Sequence, residues 1–299
     1  MSVFHRALVA LSNSESDVGL LNYAAQVASL GDCEEICFVH AACTHPHSSQ
    51  SDDIDSLLGA IQAEVGAHFG PVGREVKFDV ASGPRLDVIL NTAAQRQSDV
   101  LLLGHRKERS GQRSLARRLA MIAPCSVWLA PEGAPARISN ILVPVDFSSH
   151  SADALSLATA IAAAQGLKQC TALHVFFDRS TVRYDEHVAE ILGNEQAAFD
   201  ELVAAVDCHG VHVEPVFDES SHVPEAILRV ANCFESDLIV MNTRGRSRVA
   251  AVLLGSITSE TMAATTIPLL AVKHFGTRMK LLDVLVNHRF WDEPAPKTS

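Results

Sequence analysis

The chain states one domain-length pattern twice, and this duplication limits its fold more than any other feature. In the first half, Ser98-Asp99-Val100-Leu101-Leu102-Leu103-Gly104 leads on to Pro124-Cys125-Ser126-Val127-Trp128-Leu129-Ala130. In the second, Ser236-Asp237-Leu238-Ile239-Val240-Met241-Asn242 leads on to Ile267-Pro268-Leu269-Leu270-Ala271-Val272. Leu8-Val9 matches Leu142-Val143 and His40 matches His174, both at an offset of 134. The offset grows to 138 at Ser98/Ser236 and to 142 at Ser114/Ser256. The drift falls in connections, because loops absorb insertions and core elements do not. A unit this long is a domain, not a solenoid repeat of about 20–50 residues. The 299 residues therefore divide into domains at 1–131 and 138–273 and a tail at 274–299. Pro131-Glu132-Gly133-Ala134-Pro135-Ala136 reads as the linker.

Within each repeat, short apolar runs alternate with longer helical patterns. Ala7–Leu11 and Ile141–Val145 read as buried parallel strands. Ile36–His40 and Cys170–Val175 read as second strands, Val76–Val80 and Val211–Val216 as third strands. Helices are expected near 52–69, 84–97, 183–206 and 223–235, with Ser148 or Ser149 capping one that Gly166 ends. Strands separated by such helices form βαβ units with right-handed crossovers. The expected fold is α/β: two tandem doubly wound domains, each an open five-stranded parallel sheet with helices on both faces. Ligands of such sheets sit at the carboxyl ends of the strands, at the topological switch point. Asp146, Val175 and Asn242 fall at or just past such ends.

Composition narrows the function classes. A formal net charge of −11 argues against a nucleic-acid partner, which needs a basic face. Arg106, Lys107, Arg109, Arg113, Arg117 and Arg118 form one local basic cluster, read as a solvated loop and helix face. No apolar run reaches the ~18 residues of a membrane span, and no secretory signal is evident at the start. The seven cysteines form no CxxC pair and read as reduced thiols of a cytoplasmic protein. Cys43, His45 and His47 near His40 form a Cys/His-rich tract, but no second cluster at a fixed spacing supports a metal site.

The loop after the fourth strand of repeat two carries the chemistry. Asn242-Thr243-Arg244-Gly245-Arg246-Ser247-Arg248 is followed, after Val249 to Leu254, by Gly255-Ser256. Glycines let backbone N–H groups approach a phosphate, and a following helix adds its positive dipole end. Ser256 offers a hydroxyl to a phosphate or ribose. Read alone, Gly255-Ser256 is equally a helix start with Ser256 as N-cap, and Asp146 a helix-capping acid. His40 and His174, at equivalent strand positions, read as packed, hydrogen-bonded histidines. No Ser/His/Asp or paired-carboxylate constellation is evident.

These motifs resemble the universal stress protein family in its tandem form, over roughly residues 3–131 and 138–273. Nucleotide-binding members carry Gly-x2-Gly-x9-Gly-(Ser/Thr) between the fourth strand and the last helix. Here the matching positions are Asn242, Gly245, Gly255 and Ser256. The resemblance implies ATP, with or without Mg²⁺, as cofactor. Asp146, after a strand containing Pro144, would contact adenine or ribose, the Val175 backbone would read the adenine edge, and Gly245, Arg246, Gly255 and Ser256 would line the phosphates. Asn242 departs from the pattern by replacing the first glycine; Asn tolerates left-handed backbone, which would preserve a turn there. It also implies pairing of Ser126–Ala130 with Pro268–Val272 across a pseudo-twofold axis. The tandem chain would then be its own pseudo-dimer, with a further homodimer left open.

Repeat one departs further. Ser12 stands where Asp146 does, Lys107 where Gly245 does, and Arg113 where Gly255 does, in a loop four residues shorter; Ser114 alone is retained. Three readings follow, the weakest being a true enzyme such as an adenylate-forming or nucleotide-hydrolysing one, for which no catalytic constellation is evident. One is a stress-response regulator that binds an adenine nucleotide in repeat two, with at most slow hydrolysis, since no Walker-type lysine is present. The alternative is a module without nucleotide, whose inter-repeat groove or tail binds a partner or an apolar ligand.

Overall fold

A computed structural model of the chain describes residues 3–31, 33–42, 50–69, 75–105, 115–178, 185–243 and 254–273. The first repeat runs β1 (Arg6–Leu11), α1 (Asp17–Ala28), β2 (Glu35–Ala42), α2 (Gln50–Phe69), β3 (Glu75–Ser82), α3 (Arg85–Gln95), β4 (Val100–His105), α4 (Leu115–Ile122) and β5 (Ser126–Pro131). The second repeats that order: β6 (Ile141–Val145), α5 (Ser149–Ala164), β7 (Gln169–Phe176), α6 (Asp185–Ala204), β8 (His212–Glu219), α7 (Val223–Cys233), β9 (Leu238–Asn242), α8 (Ser256–Ala264) and β10 (Leu269–Val272).

The two five-stranded parallel sheets fuse into one sheet of order β3-β2-β1-β4-β5-β10-β9-β6-β7-β8. The seam is antiparallel, with Leu269 opposite Leu129, Leu270 opposite Trp128 and Ala271 opposite Val127. This is the pairing that the family resemblance implied. Because all strands but the two edges are covered on both faces, they read as continuous apolar runs. Alternate residues feed two cores. Val9, Trp128 and Leu270 pack with α1, α2, α5 and α6; Leu8, Val127 and Leu269 pack with α3, α4, α7 and α8. Pro215 is tolerated because β8 is an edge strand.

The duplication extends to backbone detail. Asn13 and Phe147, at equivalent positions after β1 and β6, have φ of 57° and 58°; Gln97 and Glu235, before the Ser-Asp pairs, both have φ of 50°. The Ser-Asp pairs have a structural task at the amino ends of the strands. Asp99 accepts from the His5 and Arg6 amides, and Asp237 from those of Ser139 and Asn140. Each carboxylate thereby ties the fourth strand of its repeat to the first. As expected, Ser148 caps α5 by accepting from the Ser151 amide, and Gly166 follows the helix with φ of 71°. Polar ties also cross the seam. Gln26 Nε2 donates to Gln165 Oε1, and Lys273 Nζ donates to the Met121 and Ala123 carbonyls at the end of α4.

Candidate functional site

The sheet of each repeat changes winding direction between its first and fourth strands, β1 and β4 or β6 and β9. The crevice at the carboxyl ends of β6 and β9 is therefore the natural ligand position in repeat two. Pro144 lies beside it. In repeat one, Ala7 through Ala10 pair with Val100 through Leu103; in repeat two, only Ile141 and Leu142 pair with Leu238 and Ile239. Pro144 occupies the position of Ala10 and has no N–H to offer β9, so that ladder ends early. Pairing on the β7 side continues to Val145.

Asp146 follows β6 and accepts from the Ser148 amide and hydroxyl at 3.1 and 2.5 Å. The capping reading and the site reading of Asp146 thus describe one arrangement: the acid orients the serine that caps α5. Between them, Phe147 takes the left-handed conformation and stacks on the His174 ring at 4.2 Å. His174 Nδ1 lies 2.8 Å from the Val145 carbonyl and Nε2 lies 3.3 Å from Glu195. His40 makes the equivalent 3.0 Å contact with Leu11. Both histidines are packed and hydrogen-bonded, and they lock first strand to second. Val175 is the next residue in β7 and is half-buried.

Asn242 does not adopt the left-handed turn that the glycine position suggested. It is the last residue of β9, paired with Val272, and its φ is not positive. No left-handed turn is required there, because the ladder with β10 holds the backbone extended. Its side chain is buried and donates from Nδ2 to the His150 carbonyl at 3.0 Å. That bond joins the end of β9 to the first turn of α5 across the crevice. The Asn242 carbonyl accepts from Thr258 Oγ1 at 2.8 Å, and the Thr243 carbonyl accepts from the Gly255 amide at 2.7 Å. These two bonds dock the start of α8 beside β9. Sequence reading passed over Thr243, Thr258 and His150; their backbone partners become neighbours only in the folded sheet.

Gly255, not Ser256, is the N-cap of α8, with φ of −66° and ψ of 152° and no side-chain cap hydrogen bond. Ser256 is exposed at the first helical position. A β-carbon on Gly255 would stand 3.4 Å from the Thr243 carbonyl oxygen, an ordinary contact. Neither backbone angle nor packing therefore demands glycine here. Gly245 and Arg246, with Arg244 and Arg248, lie outside the described residues. The crevice thus gathers Pro144, Asp146, Val175, Asn242, Gly255 and Ser256 at one end of the sheet.

The corresponding corner of repeat one closes on itself. Asp17 is buried at the start of α1 and accepts from the Ser12, Asn13 and Ser14 amides and the Ser12 hydroxyl. Repeat one carries serine at the strand end and aspartate in the helix; repeat two carries Asp146 and Ser151. An internal carboxylate consumes the donors that an outside ligand would need. Among the described residues no cluster of three or more His, Cys, Asp or Glu is placed to hold a metal, and the Cys43, His45 and His47 tract lies outside them. Burial pushes the Cys125 and Cys170 thiols up to about 12, which keeps them protonated and unreactive at neutral pH. No helix of the described residues is long and apolar enough to cross a membrane.

A sequence model of the universal stress protein family matches residues 4–131 and again residues 137–273. No curated protein is similar enough in sequence to count as a relative. Among solved structures, the chain is similar to a universal stress protein from Archaeoglobus fulgidus DSM 4304, at 18% identity over 90% of this chain and 98% of that one, with a TM-score of 0.65. It is also similar to a functionally unknown protein from Pseudomonas aeruginosa PAO1, at 15% identity over 95% of each chain, with a TM-score of 0.62. Both likenesses concern the fold. A universal stress protein solved in complex with cAMP overlaps 44% of this chain and 100% of its own, at 15% identity and a TM-score of 0.36.

Proposed function

This chain belongs to the universal stress protein family, and we propose from that premise that it is a stress-response regulator that binds ATP or a related adenine nucleotide in its second repeat, with little or no catalysis. The observation that carries the reading is Gly255. Its backbone angles and surroundings suit any small residue, so the fold alone does not account for a glycine. Close approach of a phosphate to the uncapped start of α8 does account for it. Asp146 and the Val175 backbone would take the adenine and ribose side, in the crevice beside Pro144. Gly245, Arg246, Gly255 and Ser256 would take the phosphates, with Asn242 bracing β9 against α5 behind them. His174 is engaged with Val145 and Glu195, which fits binding without turnover. With reduced thiols and a net charge of −11, the reading places the protein in the cytoplasm with no nucleic-acid partner.

Titrating the full chain with ATP in a calorimeter, beside a Gly255→Glu variant, tests the site. The wild type is expected to release binding heat that the variant lacks, because the new carboxylate occupies and repels the phosphate position. Equal heats from the two proteins overturn the assignment. The alternative, an apolar-ligand module, draws on Phe177 just after β7 and Val188 and Leu192 on α6, which are 55%, 39% and 38% exposed. Mass spectrometry of small molecules released from freshly purified protein separates the two: an adenine nucleotide supports the first, an apolar molecule the second.

A further inference from the structure

Helix α6 is apolar on two sides. Phe199 and Leu202 turn into the core. Val188 and Leu192, one turn apart, face solvent instead, and Ala189, Gly193 and Ala197 continue that exposed stripe. Phe177, just after β7, is exposed as well. His187 Nε2 lies 3.2 Å from Asp178 Oδ2, a contact that holds their chain neighbours Val188 and Phe177 at one corner. Three of the five large hydrophobic side chains exposed among the described residues therefore belong to this corner and the stripe that leads from it. Exposure clustered in this way marks an interaction surface.

The chain itself supplies a segment that fits the stripe. The described residues end at Lys273, just past the carboxyl end of β10, and residues 274–299 follow. Strands β10, β9, β6 and β7 are neighbours in that order and parallel, so their carboxyl ends lie together at one end of the sheet. From β10 to β7 is three strand spacings, about 14 Å. Residues 274–278 span about 17 Å when extended, which brings residue 279 to the corner of Phe177 and Val188. On a helix begun there, Met279, Leu281, Leu282, Leu285 and Val286 share one side, and Lys280, Asp283 and Asn287 the other. A helix over residues 279–290 is about 18 Å long, against about 15 Å for the stripe from Val188 to Ala197. Charge agrees with length. Helix α6 carries Asp and Glu but no Lys or Arg, and Glu190 is exposed beside the stripe. Residues 278–290 bring Arg278, Lys280 and Arg289 against a single acid, Asp283.

We propose that residues 279–290 dock as an amphipathic helix on the outer face of α6, so that the tail is an intramolecular partner of the second repeat. The docking is independent of the nucleotide reading. An isolated helix this short is marginal in water, so protection of its amides from hydrogen exchange reports docking. Exchange is followed by mass spectrometry in the full-length wild type, L192D, L285D and N287S. The wild type is expected to show slowed exchange over residues 281–290. L192D on α6 and L285D on the tail each accelerate it about tenfold, the factor that loss of one buried leucine contact implies. N287S, on the polar side, leaves it unchanged. Leu192 lies at the surface, and unaltered slow exchange in β6 and β9 of the same sample verifies that each variant is folded. Tail amides that exchange at the rate of an unstructured chain in the wild type overturn the proposal. Protection that survives L192D places the tail elsewhere and overturns the α6 surface. Protection that grows with protein concentration makes the occupant a second copy of the chain, which overturns the intramolecular docking.

Discussion

Asp237 and Asn242 show how far single residues can be read. The Ser-Asp marker is the most visible element of the repeat, yet its work lies at the amino ends of the strands, opposite the ligand crevice. Asp237 is buried and accepts from two backbone amides and the Ser139 hydroxyl, with Arg137 Nε 3.3 Å away. Replacing it by alanine leaves those amides without an acceptor. Asp237→Ala is expected to cost about 3 kcal/mol of stability, measured by urea unfolding, with nucleotide affinity of the folded fraction unchanged. A loss of affinity at full folding would mean that the marker reaches the site after all. Asn242 teaches the converse. Its identity suggested a tolerated turn, whereas its strand pairing and its bond to the His150 carbonyl make it a brace. That partner is 92 residues away in sequence, and no local pattern could announce it.

At the scale of elements, the first and fourth strands of the two repeats differ in how far they pair. The β1–β4 ladder runs through Ala10, while the β6–β9 ladder ends at Leu142, and Pro144 is the difference. Pro144→Ala supplies the missing N–H and is expected to extend pairing toward Met241. Hydrogen exchange should then show a slow amide at position 144, and ATP affinity should fall several-fold as the crevice narrows. An affinity equal to that of the wild type would show that the proline does not set the opening. The strand–helix alternation itself was legible in the chain, and the element centres agree with the apolar runs. The α5 cap at Ser148 and its glycine stop were legible for the same reason: caps and αL positions are local demands. At α8 Gly255-Ser256 opens the helix as read, with Gly255 rather than Ser256 at the cap.

For the whole molecule, the seam makes two repeats into one folding unit. Trp128 is fully buried at the centre of the seam, opposite Leu270, with Phe4 and Tyr23 edge-on at 6.2 and 5.7 Å. Trp128→Ala is expected to cost about 3–5 kcal/mol and to lower the stability of both repeats together. Hydrogen exchange in β1 and β6 should accelerate in step, because the core beneath Trp128 holds residues of both repeats. Acceleration confined to β1 would show that the repeats unfold independently. The seam also carries polar ties between repeats, with Arg117 of the first donating to Ser259 of the second.

The sequence by itself determined the duplication, the α/β class and the order of strands and helices along each repeat. These rest on periodicity, glycine and cap positions, and the handedness of βαβ crossovers, all of which act over short stretches of chain. Only the tertiary structure decided that the two sheets are one, that the β6–β9 ladder ends at Leu142, that Asn242 braces α5, and that Arg117 meets Ser259. Each of these depends on which distant backbone or side-chain group arrives next to a residue once the sheet has formed. Such long-range contacts leave no periodic trace in the chain.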